Sequence, residues 1–108
     1  MAGISTQALS QRLTDPKVVT LLDVRKAQAL LASGKQALPG AQWRDPALWL
    51  EWKDCVAADR PVVVYCAHGQ EISQALTTAL RVMGRDAVFL IGGYGAWVEA
   101  GLPIQALP

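Results

Sequence analysis

The sequence predicts an α/β fold, a parallel sheet with helices on both faces, and three observations carry that prediction. The runs VVTLLDV (18–24), RPVVVYC (60–66) and AVFLI (87–91) are almost continuously apolar and rich in β-branched residues. That is the pattern of strands buried on both sides. Between these runs the apolar positions fall three and four apart, the period of a helix that packs one face. The third observation is bulk: 108 residues, 52% hydrophobic and 18% charged, suffice for one core and are too apolar for disorder. A single domain over 1–108 follows, with no repeat, low-complexity segment or linker to divide it.

Each element has a local reason. Ser5 can cap a first helix carrying Ala8, Leu9 and Leu13 on one face, stopped by Asp15–Pro16. The strand at 18–24 comes next. RKAQALLASG (25–34) reads as a helix closed by Gly34. LPGAQW (38–43) is a turn running into a short strand. Asp45 followed by Pro46 is a good helix start, and that helix holds Leu48, Trp49 and Trp52. After the strand at 60–66, a helix from about Ile72 sets Ile72, Ala75, Leu76, Ala79, Leu80 and Met83 on one face and ends at Gly84. The strand at 87–91 leads to GGYGAWVEAG (92–101), a glycine turn and a short helix.

Ten basic and nine acidic residues leave a formal charge of +1, which gives no reason to invoke nucleic acid or an anionic membrane as partner. Two cysteines, Cys55 and Cys66, are too few for a disulfide scaffold, and neither has the spacing of a structural metal site. The first residues lack a basic region followed by an apolar core, and no apolar run is long enough to span a membrane. A cytoplasmic protein with a free thiol at Cys66 is the plain reading.

Cys66 raises the functional question, because it stands where a buried strand gives way to a polar loop. In parallel sheets, ligands gather outside the carboxyl ends of the strands. The loop Ala67–Glu71 is short, and Gly69 frees its backbone to aim several N–H groups inward as a nest for negative charge. A free thiol titrates near ~8.5, whereas thiols at helix starts fall to ~3.5–7.5. The helix dipole contributes only ~0.3–1 kcal/mol, while each hydrogen bond to a charged acceptor adds ~1.5–3 kcal/mol. The amides, more than the dipole, must therefore activate the sulfur. A small apolar filler at a strand end is the rival reading, and position alone leaves the two level.

Four segments in order, LLDVR (21–25), LPGA (38–41), VVVYCAHG (62–69) and GGYGAWVEAGLPI (92–104), make the chain similar to the rhodanese (sulfurtransferase) family over about residues 5–104. The resemblance implies a five-stranded parallel sheet. It implies that Cys66 is the nucleophile that takes a sulfane sulfur from a donor, thiosulfate or a persulfide, becomes a persulfide itself, and passes the sulfur to cyanide or a thiol. No metal or organic cofactor is implied; a small-molecule donor and acceptor are, with a sulfur-relay protein as a further partner. The active loop is then Cys66 to Glu71, six residues. Related phosphatases use a loop one residue longer, end it in arginine, and place a histidine before the cysteine. Here Tyr65 and Glu71 stand at those ends, so a phosphatase or arsenate reductase is disfavoured. A non-catalytic module that binds sulfur or a partner protein remains the main alternative.

Glu71 departs from the family, many of whose members carry a basic residue there. A carboxylate facing the pocket would raise the thiol pKa and repel thiosulfate, whereas one capping the helix would not; the capping role is the expectation. Ala67, His68, Gly69, Gln70, Glu71 and Ile72 are expected to bind substrate mainly through their amides, with a modest role for the His68 ring. Asp23 is expected to support the loop and Arg25 to add positive potential, with a helix cap and a solvated arginine as the level alternative. Arg44 is a further cation that could reach the mouth. Trp97, Trp49 and Trp52 are expected in the core, and Cys55 as a buried bystander.

Overall fold

The computed structural model describes residues 2–15 and 18–107. In chain order the elements are β1 (Gly3–Ile4), α1 (Thr6–Arg12), β2 (Thr20–Asp23), α2 (Ala27–Ala32), β3 (Gln36–Ala37), β4 (Gln42–Trp43), α3 (Trp49–Trp52), β5 (Val62–Tyr65), α4 (Glu71–Val82), β6 (Ala87–Leu90), α5 (Gly93–Glu99) and β7 (Gln105–Ala106). Single 3₁₀ turns, Pro46–Leu48 and Lys53–Cys55, flank α3. The Ser5 hydroxyl accepts the Ala8 N–H at 3.1 Å, and the Asp45 carboxylate accepts the Ala47 N–H at 3.0 Å, so both expected caps form. Pro16, expected to stop α1, lies outside the described residues.

Five strands pair in the order β1-β6-β5-β2-β4, every pairing parallel. β3 and β7 form a separate antiparallel pair. Side chains alternate across the sheet, which explains the unbroken apolar runs: both faces are covered. Leu21, Val63, Tyr65 and Leu90 pack with Leu9 of α1 and Trp97 of α5. Leu22, Val62, Val64 and Ala87 pack on the other side with Trp52 and with Leu80 of α4. Both buried indoles keep their N–H satisfied, Trp97 on the Pro103 carbonyl at 2.7 Å and Trp52 on that of Asp45 at 2.8 Å.

Because β2, β5 and β6 run the same way, their carboxyl ends share one edge. Asp23 pairs with Tyr65 and with Trp43 in register, so Arg25 and Cys66 emerge side by side. The helix expected over 25–34 starts two residues late, and the reason is local. The Arg25 N–H donates to the Asp23 carboxylate at 3.0 Å, and Lys26 keeps an extended ψ of 148° before α2 begins. Gly34 does close the segment, at φ +69°. Cys55 is exposed rather than buried, because the 3₁₀ turn that carries it faces outward.

Candidate active site

Cys66 follows the last residue of β5, and α4 begins five residues later at Glu71. The Cys66 Sγ lies 3.2 Å from the Ser73 Oγ, in the first turn of that helix. Burial alone would push the thiol up. The Ser73 hydroxyl and the amides of Ser73, His68 and Gln70 hydrogen-bond the sulfur and outweigh burial, holding it below its ordinary value. The Cys66 sulfur thus sits in a ring of donors.

Donors can converge only if the carbonyls turn away, and each loop carbonyl with a partner finds it outside the ring. The Tyr94 and Gly95 N–H groups, in the first turn of α5, donate to the carbonyls of Cys66 and Ala67, both at 2.9 Å. The Gln74 side-chain amide donates to the Gly69 carbonyl at 2.9 Å, and the Gln74 N–H takes that of Gln70 at 3.2 Å. Loop and α5 approach so closely that no side chain fits between them. A Cβ on Gly93 (φ +60°) would lie 2.4 Å from the Cys66 carbonyl oxygen. One on Gly69 (φ +67°) would lie 2.6 Å from the Gly92 nitrogen.

Behind the loop lies a buried polar cluster. The Asp23 carboxylate receives the Arg25 guanidinium, with Nη2 to Oδ2 at 2.6 Å, and the Tyr65 hydroxyl at 2.8 Å. The same guanidinium donates to the Gln36 carbonyl at 2.6 Å and lies over the Tyr94 ring, 4.1 Å from its centroid. Burial opposes the charge on Arg25, but the Asp23 carboxylate more than restores it. Burial, together with the Asp23 charge, pushes Tyr65 far above its ordinary range, so its hydroxyl stays a donor.

The sulfur is reached from a hollow of about 350 Å³. Cys66, 6% exposed, is at its floor. Lys26, Ala29, Gln70, Glu71 and Ile72 are among the residues that line it.

This arrangement has relatives. Residues 5–100 match the Rhodanese-like domain family. The chain belongs to the rhodanese-like family. It is 37% identical over 86 residues to a thiosulfate sulfurtransferase GlpE of Actinobacillus succinogenes, covering 79% of this chain and 74% of that one. It is 35% identical over 103 residues to a sulfurtransferase of Allochromatium vinosum, covering 95% and 94%. Among solved structures, a rhodanese-related protein of Thermoplasma volcanium superposes with a TM-score of 0.85 at 25% identity, covering 99% of this chain and all of that one.

The rhodanese-like loop brings together most of the residues the sequence pointed to. Ala67, His68, Gln70, Glu71 and Ile72 line the hollow with Cys66, while Gly69 is buried behind it. Glu71 opens α4 and is exposed; the helix has no side-chain cap. Asp23 is buried beneath the loop, and Arg25, 1% exposed, sits on it rather than in solvent. Arg44 does not reach the mouth: its guanidinium donates to the Trp43 carbonyl at 3.1 Å and the Gln42 side chain at 3.0 Å. Cys55 lines a separate hollow with Thr20 and Arg60, toward the amino ends of the strands. Sequence reasoning missed Ser73 and the first turn of α5. Ser73 had a signal: with Thr77 and Leu80 it lies on the buried face of α4, a polar residue where the period asks for an apolar one.

Proposed function

We propose that this sulfurtransferase carries sulfur as a persulfide on Cys66, between a small donor and a thiophilic acceptor. The observation that supports it best is the ring of amides and the Ser73 hydroxyl around a sulfur that the hollow exposes. With thiosulfate as donor, the Cys66 thiolate attacks the sulfane sulfur. The new Sγ–S bond forms as the old S–S bond breaks, and sulfite departs with its electron pair. Cyanide or a thiolate then attacks the outer sulfur, leaving as thiocyanate or a new persulfide and returning the Cys66 thiolate. Each intermediate keeps one negative charge on sulfur, so the same fixed donors serve throughout with little reorganisation.

The roles follow from position. Cys66 is the nucleophile. The amides of residues 67–72 form the cradle for the anion and the donor, the His68 ring and Glu71 stand at its rim, and Asp23 anchors Arg25, which contributes positive potential from below. No cofactor is required by these steps. A sulfur-relay protein is a further acceptor, and the cytoplasm, where thiols stay reduced, suits a chain with two free cysteines. No helix among the described residues is long and apolar enough to cross a membrane.

Mass spectrometry of the intact protein after incubation with thiosulfate tests the reading. The wild type gains one sulfur atom, lost again on adding cyanide, and Cys66→Ser gains none. Sulfur retained by Cys66→Ser would move the carrier elsewhere.

A further inference from the structure

The two loop amides that reach the Cys66 sulfur, those of His68 and Gln70, belong to peptide planes held from behind. The described peptide bonds are all trans, so within each plane the carbonyl points opposite to the N–H. The plane that carries the His68 N–H also carries the Ala67 carbonyl, which accepts the Gly95 N–H at 2.9 Å. The plane that carries the Gln70 N–H also carries the Gly69 carbonyl, which accepts the Gln74 side-chain amide at 2.9 Å. A carbonyl can only accept, so Nε2 of Gln74 is the atom that faces it. The first plane is thus held by the backbone of α5, the second by a side chain. Among the described residues the Gly69 carbonyl receives no other hydrogen bond. Gly69 has no Cβ to resist rotation of the plane, and Gln70 gives α4 no side-chain cap. The Gln74 N–H takes the Gln70 carbonyl at 3.2 Å as well, so Gln74 holds the peptides on both sides of Gln70. It does so from outside the hollow above Cys66: Gln74 lines a separate one with Thr77, Thr78 and Arg81.

We propose that Gln74 is a positioning residue for the transfer: its side-chain amide fixes the Gly69–Gln70 peptide so that the Gln70 N–H is aimed at the Cys66 sulfur. This rests on the sulfur-transfer reading and adds to it a residue that acts through the loop, without touching donor or acceptor. An N–H already aimed at the sulfur costs no reorganisation when charge appears there. Without the Gln74 donor, the Gly69 carbonyl must turn to water, and the plane is free to swing its N–H off the sulfur. The thiolate then loses one of its donors, and the thiol holds its proton more tightly.

Gln74→Met keeps the length of the side chain and removes the donor; Gln74→Ala removes donor and stem together. In both, the pH midpoint for alkylation of Cys66 by iodoacetamide should rise, while the alkaline plateau stays at the wild-type rate. At neutral pH, alkylation and persulfide loading from thiosulfate should slow by the same factor, about two- to tenfold, the worth of one net hydrogen bond. Backbone amide shifts followed by NMR through the same titration read the cause. In wild type the His68 and Gln70 signals both follow ionisation of Cys66. In the variants the Gln70 response shrinks, and the His68 response, anchored by Gly95, persists. Thr78→Ala, which removes only an exposed hydroxyl bonded to the Gln74 carbonyl, should leave the midpoint and both responses alone. An unmoved midpoint in folded variants, an equal slowing at every pH, or equal loss of the two amide responses overturns the proposal. Absence of a Gln70 response in the wild type overturns it without recourse to any variant. Failure of wild-type Cys66 to take sulfur from thiosulfate or from a persulfide, with alkylation as expected, overturns instead the sulfur-transfer reading beneath it.

Discussion

Ser73 meets the Cys66 sulfur with two of its groups. Its Oγ lies 3.2 Å from the sulfur, and its own amide is a second donor, so one residue supplies two of the four bonds that oppose burial. Removing the hydroxyl removes a hydrogen bond to a charged acceptor, about 1.5–3 kcal/mol. Ser73→Ala should therefore raise the Cys66 pKa. The sign is fixed by chemistry: only the thiolate reacts, so a higher pKa lowers the rate at neutral pH and leaves the alkaline plateau. Alkylation of Cys66 by iodoacetamide across pH 5–10 reads this directly, with Ser73→Thr restoring the lower midpoint. An unmoved midpoint would assign the activation to the amides alone. Cys66 was legible in the sequence as a candidate from its place at a strand end together with the four family segments, since position alone leaves a nucleophile and an apolar filler level. Ser73 was signalled only by being polar on the buried face of α4, a feature it shares with Thr77, and a distance is needed to tie one of the two to the sulfur.

At the scale of elements, the site is a joint between the loop after β5 and the first turn of α5. α5 draws the Cys66 and Ala67 carbonyls outward, and the Arg25 guanidinium, fixed by Asp23, presses against Tyr94 in that same turn. The end of β2 thereby positions the loop without touching the sulfur. Gly93→Ala attacks the joint alone. Its Cβ would meet backbone at 2.4 and 2.6 Å in a left-handed conformation, so loop and helix must part. Overpacking of this kind costs about 1–3 kcal/mol, which for a domain of this size lowers Tm by roughly 4–8 °C per kcal/mol. The folded variant should also lose the rapid alkylation of Cys66. Calorimetry and the alkylation rate together check this: a lower Tm with unchanged thiol reactivity would mean that α5 does not shape the cradle. The main strands and helices were readable because each repeats its period several times. β1, β3 and β7 were not, since two residues hold no period and their pairing is decided by what lies alongside. The late start of α2 was hidden for a related reason: helical spacing does not register that Asp23 captures the Arg25 amide first.

For the whole molecule, a thiol held below its ordinary pKa makes folding stability depend on pH. The unfolded chain presents Cys66 near ~8.5 and the folded chain presents it lower, so the native state binds fewer protons between those values. A depressed folded pKa contributes stability that is fully present above the unfolded value and is lost as pH falls through the folded value. Cys66→Ala removes this contribution and adds a packing change that does not vary with pH. The difference in unfolding free energy between wild type and Cys66→Ala should therefore shift in favour of wild type as pH rises toward the unfolded value of ~8.5 and level off above it. Cys55 is common to both chains and drops out of the difference. Urea melts at each pH, with the slope checked for constancy, make the measurement. A difference flat in pH would mean that the cradle holds the thiol no better than water does. The donors around Cys66 would then shape a pocket without creating a nucleophile.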